Sequence, residues 1–377
     1  MLVKIDESII SAYGEDKRKF KCGLNYILDA HFNKKHFVYL SQKIAKQIIK
    51  LNKDSWNNYL SNEIVSKVEQ LGNQCALQAA ITTLVNIYIE IYHNKIAYPI
   101  TNVDPGIESA TVWKYPITSN LEWLINPTVI YGENINDSGI FESIAKSTAL
   151  LKGLSNRNIK FRKEMTGGCG NIPEIVNTRS NDPQDLKSAC FFIADSDCKY
   201  PKNSIHKIIK DSRDNLRNYN YNAPMRLDIL QSREIENLIP IELLYLSLEA
   251  KAKQEKSIRE ALQAIDTFYR QHPEHYRYID LKEGTCTHKV AADLACKKFF
   301  KPLEGVVKPP CNDQNHKDCF QITPRIGDII LPTLKEYLKL HGDRHLSQLI
   351  LQKNTEEWTK LAEILLSFSI CNDRQAM

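Results

Sequence analysis

The sequence predicts an α/β fold, with a parallel four-stranded sheet covered by helices on both faces and flanked by mainly helical N- and C-terminal regions. Two observations support this prediction. Between residues 126 and 240, short apolar strands alternate with helical segments, which is the pattern of a parallel sheet. On either side, apolar residues recur mostly at helical spacing. The chain has 377 residues, more than one hydrophobic core usually serves, so we divide it into regions 1–125, 126–240 and 241–377.

The first region, residues 1–125, is predicted to be mainly helical. Segments 36–52 and 60–72 have apolar residues at helical spacing. Segment 75–93 (CALQAAITTLVNIYIEIYH) is apolar on most faces, so we expect a buried helix there. Three prolines within 97–120 predict a loop-rich connector.

The middle region, residues 126–240, is predicted to contain four strands. The first, 127–133 (PTVIYGE), precedes an amphipathic helix at 137–154, which Asp137 or Ser138 is placed to cap. The other strands are 159–165 (IKFRKEM), 189–194 (ACFFIA) and 225–230 (MRLDIL), with a short helix at 172–181. We expect this region to form the sheet.

The last region, residues 241–377, returns to helical patterns. Segment 241–271 predicts one long helix or two, and further helices are predicted at 329–342 and 355–370. Between them lies a proline-interrupted stretch, 286–320, that carries cysteines and histidines.

Composition limits the class of protein. Hydrophobic residues make up 42% of the chain and charged residues 25%, as in soluble globular proteins. The net charge of +5 permits a nucleic-acid partner without requiring one. The sequence shows neither a signal-peptide pattern nor an uninterrupted membrane-length apolar stretch, and several of its 10 cysteines lie in apolar surroundings. We therefore expect a cytoplasmic protein without a membrane segment.

The strand 189–194 ends in an unusual acidic motif, Asp195-Ser-Asp197. In an extended chain, residues two apart point the same way, so Asp195 and Asp197 are expected to face one point. Two buried carboxylates repel each other, and a divalent cation such as Mg²⁺ would relieve that repulsion. The alternative is that the pair caps the next helix or closes a turn.

The other predicted strands also end in polar motifs. Acidic residues follow the first and last strands, and glycines follow the second. These residues are Glu133 and Asp137 (first strand), Gly167, Gly168 and Gly170 (second strand), and Glu234 and Glu236 (last strand). Glycines let a backbone approach a ligand and expose amides to phosphate. Because ligands gather at the carboxyl ends of parallel strands, this edge predicts a metal- and phosphate-binding site.

This ordered set of motifs resembles the Toprim domain, and more narrowly the Toprim module of the overcoming-lysogenization-defect (OLD) nuclease family. The resemblance covers residues 126–240 and rests on ENIND, GGCGNI, DSD and REIEN. It implies that Glu133, Asp137, Asp195, Asp197 and Glu236 form the catalytic acidic set, with Glu234 a second choice for the last position. It also implies that Glu133, Asp195, Asp197 and Glu236 bind Mg²⁺ or Mn²⁺.

The sequence departs from that family in two respects. The family's first motif reads glutamate–glycine, whereas here Gly132 precedes Glu133. The chain has no Walker A motif (GxxxxGK[ST]). The resemblance therefore implies a free-standing Toprim nuclease, similar to antiviral effector subunits of bacterial phage-defence systems that rely on a separate ATPase.

The resemblance implies metal-assisted hydrolysis of phosphodiester bonds in DNA or RNA, by an endonuclease acting as a toxin effector. Two alternatives remain open: a nucleic-acid-binding or assembly protein with a silent Toprim site, and a topoisomerase- or primase-like enzyme. The large helical flanks are expected to hold the chain inactive, by self-association or on an ATPase partner. Lys199, Lys202 and Arg233 could bind flanking phosphates, although basic residues there are equally typical of ordinary surface.

The Cys/His stretch offers a second candidate metal site. Its residues are Cys286, His288, Cys311, His316 and Cys319. Structural zinc takes four thiolate or imidazole ligands, a number that Cys286, His288, Cys311 and Cys319 would supply, with His316 a substitute. The alternative is that these residues lie in loops without a metal.

Overall fold

The structure of the chain, a computed structural model, describes residues 1–55, 59–93, 100–103, 111–181, 188–218, 223–303, 319–352 and 356–372. Within these ranges the strands are β1 (Leu2–Ile5), β2 (Phe37–Tyr39), β3 (Ile87–Tyr92), β4 (Ile100–Val103), β5 (Thr111–Pro116), β6 (Val129–Gly132), β7 (Arg162–Met165), β8 (Cys190–Ala194), β9 (Met225–Ile229), β10 (Thr285–Cys286) and β11 (Gln321–Thr323).

The α-helices in the same ranges are α1 (Ile9–Glu15), α2 (Lys17–Phe32), α3 (Gln42–Lys53), α4 (Asn62–Asn73), α5 (Cys75–Ala79), α6 (Ile135–Leu151), α7 (Ile172–Asn181), α8 (Lys207–Asn218), α9 (Ile241–Gln254), α10 (Lys256–Gln271), α11 (Pro273–Tyr276), α12 (Thr287–Ala291), α13 (Leu294–Phe300), α14 (Ile330–Gln352) and α15 (Glu356–Ser369). Short 3₁₀ helices lie at Ala80–Thr83, Glu122–Ile125, Asn156–Asn158, Cys169–Asn171, Ile235–Leu238 and Lys301–Leu303.

The four strands predicted between residues 126 and 240 form one parallel sheet. Their order is β7-β6-β8-β9, and each strand is parallel to its neighbours. In the two central strands Val129 lies opposite Cys190, and Tyr131 lies opposite Phe192. The predicted α/β class with a parallel four-stranded sheet is confirmed.

Helices cover both faces of this sheet, because successive side chains of each strand point to opposite sides. On one face, Tyr131 and Phe192 stack with ring centroids 4.5 Å apart, in a cluster with Val176 of α7 and Ile209 of α8. On the other face Phe191 joins a separate cluster with residues of α6 and α15. Each face is therefore buried by its own set of helices.

The first 125 residues contain a sheet that the sequence analysis does not predict. Its order is β2-β1-β3-β5-β4, with four parallel strands and β4 antiparallel at the edge. The buried helix expected at 75–93 is wrong, since β3 occupies the end of that segment. Ile87, Ile89 and Ile91 are buried and the residues between them are partly exposed, which is the two-residue period of a strand.

Several predicted helix boundaries change for local reasons. The helix expected at 36–52 starts only at Gln42, because β2 comes first and the Ser41 hydroxyl caps the helix by accepting from the Ile44 N–H. The connector at 97–120 contains β4 and β5. Segment 241–271 forms two helices, α9 and α10. In the part of the chain that the structure describes, no helix is both long and apolar enough to cross a bilayer.

One aromatic side chain links the five-stranded and the four-stranded sheets, and β10 and β11 pair separately as a two-stranded sheet. Phe368 of α15 packs against Trp113 of β5, with ring centroids 5.8 Å apart, and stacks on Phe191 of β8 at 4.7 Å. All three rings are buried within one apolar cluster. The C-terminal helix is therefore part of the core beneath the four-stranded sheet.

Candidate functional site

The candidate site lies at the carboxyl edge of the four-stranded sheet. The chain adds β7 on one side of β6 and β8 on the other, so the strand order reverses between β6 and β8. Ligands of open α/β sheets bind at such a switch point. Glu133 follows β6 and Asp195 follows β8, and the Asp195 N–H donates a hydrogen bond to Glu133 Oε1 at 3.2 Å. The structure thus brings together two predicted site residues that are 62 positions apart.

The segment around Glu133 is fixed by the start of α6. The side chain of Asn134 accepts from the Asp137 N–H, and Asp137 Oδ2 accepts from the Asn134 N–H at 2.9 Å. The cap is therefore Asn134, and the prediction of Asp137 or Ser138 as the cap is wrong. A side chain at position 132 would place its Cβ 2.7 Å from the Cβ of Asp137, so glycine there allows the close approach.

The two aspartates after β8 do not continue the strand. Asp197 has a left-handed backbone with φ of +54°, so the extended geometry expected for the pair does not hold. The N–H groups of Ser196 and Asp197 both donate to the carbonyl of Arg233, at 3.1 and 3.0 Å. Asp197 nevertheless lies close enough to the site for its charge to help raise the pKa of Glu133.

The loop after β9 brings the last two acidic residues to the same edge. The Ile235 N–H donates to Asp195 Oδ1 at 3.1 Å. Glu234 and Glu236 are both buried, and both carboxylates face the ammonium of Lys282. The distances are 3.4 Å from Lys282 Nζ to Glu234 Oε2 and 3.1 Å to Glu236 Oε1. All the predicted acidic positions therefore belong to one neighbourhood.

The site carries more negative charge than Lys282 balances. Burial first, and then the charges of Glu133 and Glu236, raise the pKa of Asp195 well above its usual value. Burial raises the pKa of Glu236 to about 7. Glu133 and Asp137 also have raised pKa values, again mainly because of burial. A carboxylate cluster of this kind favours protons or a cation.

Lys282 is a site residue that the sequence analysis misses. Burial alone would lower its pKa, but the carboxylates of Glu236 and Glu234 outweigh that effect and raise it, so the ammonium stays charged. The residue lies in the segment IDLKEG, within the region assigned to the helical C-terminus. No spacing or motif in that segment points to the acidic edge.

The C-terminal region also fixes the loop after β9. Arg233 pairs with Asp280, with Nη2 2.9 Å from Oδ2. The buried carboxylate of Glu357 in α15 accepts from the Ser232 N–H, at 3.0 Å through Oε1, and from the Ser232 hydroxyl at 2.6 Å. The guanidinium of Arg233, expected to bind substrate, is thus engaged in holding its own loop.

The remaining residues expected to bind substrate are more exposed. Gly167 and Gly168 have φ values of +69° and +114°, and the Gly167 N–H donates to the Glu133 carbonyl at 3.1 Å. Gly170 follows in the same turn, so the glycines lie directly beside the acidic edge. Lys199 and Lys202 are exposed on the loop after β8.

The acidic edge fits a hard divalent cation held partly through water. Asp137 Oδ1 and Glu236 Oε2 are buried and accept no hydrogen bond from the described residues. Unpaired oxygens of this kind are ligands that Mg²⁺ and Mn²⁺ prefer. No three of the site carboxylates offer oxygens within 4.8 Å of one another. Mg²⁺ tolerates this arrangement, because it usually keeps several waters and takes one or two carboxylates.

The predicted zinc ligands are only partly described. Cys286 lies in β10 and is buried, and Cys319 Sγ accepts from the His288 N–H at 3.3 Å. The side-chain ligand atoms of these three residues do not form a set within 4.8 Å. Cys311 and His316 lie outside the described residues. The nine cysteines that are described form no disulfide.

One other cluster could hold a metal ion. In the described ranges, three Cys, His, Asp or Glu ligand atoms come within 4.8 Å of one another only at His272, Glu274 and His275. The sequence analysis does not predict this site, although the close spacing of two histidines and a glutamate in HPEH (272–275) could have indicated it.

Comparisons with protein-family models, with curated proteins and with solved structures give no match to this chain. The interpretation of the site therefore depends on its geometry and on the motifs described above.

Proposed function

We propose that the chain is a divalent-metal-dependent nuclease of the Toprim type, related to the OLD family, which hydrolyses phosphodiester bonds in DNA or RNA. The observation that carries the proposal is the meeting of Glu133, Asp195 and Glu236 at the switch point of a parallel sheet. Their mutual repulsion and burial favour the binding of a cation.

In this proposal Glu133, Asp195, Asp197 and Glu236 hold Mg²⁺ or Mn²⁺, directly or through water. A bound ion of this kind activates water and neutralises charge on the scissile phosphate. The turn at Gly167 and Gly168 lies beside Glu133, and because the Gly167 N–H donates to the Glu133 carbonyl, a phosphate would be accepted by the other backbone amides of this turn. Lys282 lies 3.1 Å from Glu236 Oε1 and supplies a fixed positive charge at the same edge.

The proposal extends to regulation. The resemblance to effector subunits of phage-defence systems favours a toxin effector gated by a partner ATPase or by self-association. The absence of a Walker A motif in the sequence supports gating in trans. Cells are then expected to tolerate the chain alone, and to lose viability when a partner or phage trigger is supplied.

The decisive experiment is incubation of the purified chain with plasmid DNA and with total RNA, with and without Mg²⁺ or Mn²⁺. We expect metal-dependent cleavage of one substrate, abolished by Asp195→Asn combined with Asp197→Asn. The control is Asp211→Asn, an exposed aspartate on α8 of the same region, which should cleave like the wild type. If a partner is needed, toxicity on co-expression replaces cleavage as the readout. Undiminished activity or toxicity of the double variant would overturn the assignment of the site.

A second function is favoured by one observation. The ammonium of Lys282 already contacts two of the carboxylates, as an internal cation would in a silent site. The chain would then bind or assemble on nucleic acid without cleaving it. In that case Mn²⁺ would not bind at the acidic edge, and Asp195→Asn would leave nucleic-acid affinity unchanged.

A further inference from the structure

A second candidate metal site lies at the junction of α10 and α11, outside the acidic edge. Helix α10 ends at Gln271, and Pro273 starts α11, so the chain turns at His272. The turn brings His272, Glu274 and His275 together, with one ligand atom of each within 4.8 Å of the others.

His275 is held rigidly with one ring nitrogen available. The residue is 4% exposed, and its ring stacks on Phe299 with centroids 4.3 Å apart. Nε2 lies 2.9 Å from the Phe299 carbonyl, which can only accept, so Nε2 carries a proton. A backbone carbonyl is a common partner for the outer nitrogen of a metal-binding histidine.

The other nitrogen of His275 faces a second acceptor. Nδ1 lies 2.8 Å from Glu274 Oε1, but the two atoms are not aligned as a hydrogen bond, and Nδ1 has no such bond among the described residues. Nδ1 is therefore the ring nitrogen that is open to an ion, and the Glu274 carboxylate lies beside it as a second ligand.

Two imidazoles and one carboxylate are ligands typical of Zn²⁺ and related transition ions, and they are less suited to Mg²⁺. We propose that His272, Glu274 and His275 form a binding site for an ion of the Zn²⁺ class, with the fourth position open to water. Glu274 has an exposed side chain, so the ion would exchange with solvent.

The position of this site gives the ion a structural role. Tyr276 directly follows His275 in the chain. Asn237 Nδ2 donates to the carbonyls of Tyr276 and Ile279, at 2.9 and 3.1 Å. Asn237 Oδ1 in turn accepts from the Glu234 N–H at 3.1 Å. An ion at His275 would therefore fix the segment that supports the acidic loop and carries Lys282.

The test is titration of the full-length, chelator-treated chain with Zn²⁺ by calorimetry and with Co²⁺ by absorption spectroscopy. We expect a four-coordinate Co²⁺ spectrum, distinct from that of an ion held through water at the acidic edge, and without a thiolate-to-cobalt charge-transfer band, because no cysteine belongs to the set. Loss of a residue that hydrogen-bonds to a metal ligand typically weakens metal affinity by about 10- to 100-fold. Glu274→Gln and His272→Gln remove ligands themselves, so each should weaken the affinity for Zn²⁺ at least that much.

Glu249→Gln provides the matched control, because Glu249 is exposed on α9 and pairs with Lys253 within its own helix, away from the His272 cluster. It should bind like the wild type, and circular dichroism should show all three variants folded. The proposal is overturned if the wild type takes up no Zn²⁺ or Co²⁺, if both ligand variants keep wild-type affinity, or if the only Co²⁺ spectrum is that of a thiolate site. None of these readouts depends on nuclease activity.

Discussion

Replacing Glu236 by glutamine should raise the stability of the protein relative to the wild type as the pH rises from about 5 to about 8. Glu236 is 1% exposed, and burial raises its pKa from 4.5 to about 7. Its contribution to stability is therefore fully present below about pH 4.5, and it is lost as the pH rises through about 7. Glutamine has nearly the same shape and does not titrate, so it avoids this loss.

The magnitude follows from the size of the pKa shift. A rise from 4.5 to about 7 corresponds to about 3 kcal/mol, at about 1.4 kcal/mol per unit. Between about pH 5 and about pH 8, the stability of Glu236→Gln relative to the wild type should therefore increase by about 2 to 3 kcal/mol. The pH dependence of groups that do not interact with Glu236 cancels in this comparison, whereas Asp195 and Lys282 also respond to the loss of its charge.

The assay is equilibrium urea unfolding of both proteins, without metal, at the two pH values. Glu260→Gln, at an exposed position on α10, is the control and should show no such increase. Adding Mn²⁺ at the higher pH should reduce the difference, because a bound cation stabilises the ionised carboxylate. A constant difference between wild type and Glu236→Gln at both pH values would refute the reasoning.

Two further predictions concern neighbouring positions. Lys282→Met should destabilise the fold by about 3 kcal/mol, because Glu236 and Glu234 would lose their buried cation. Urea unfolding at pH 7 measures the change, and an unchanged free energy of unfolding would show that the ion pairs do not stabilise the fold. Gly132→Ala should cost about 1 to 3 kcal/mol through the 2.7 Å clash with Asp137. Gly170→Ala is its control, since nothing lies within 4 Å there, and equal thermal shifts for the two variants would contradict the steric argument.

The acidic edge could be predicted because it depends on a local rule. Polar residues that follow parallel strands meet at one edge, whatever lies between the strands. Glu133, Asp195 and Glu236 were found in this way. The same rule could not fix their geometry, since Asp197 leaves the extended conformation immediately after the strand.

The residues that complete the edge could not be predicted. Lys282 and Glu357 come from the C-terminal region, and their contacts depend on how that region packs. A lone lysine or glutamate has no spacing that reveals a distant partner. The sheet in the first 125 residues was missed for another reason: the alternation of Ile87, Ile89 and Ile91 was hidden inside a longer apolar run that favoured a helix.

The hydrogen bonds from Ser232 to Glu357 determine when the acidic edge can be completed during synthesis on the ribosome. Glu357 is synthesised 121 residues after Glu236, which takes roughly 6 to 24 s at about 5 to 20 residues per second. Until then the loop after β9 lacks the carboxylate that accepts its backbone N–H groups, and for part of that time it also lacks Lys282. A nascent chain therefore carries its acidic residues in an unfinished arrangement, and the arrangement is completed only after α15 has been synthesised.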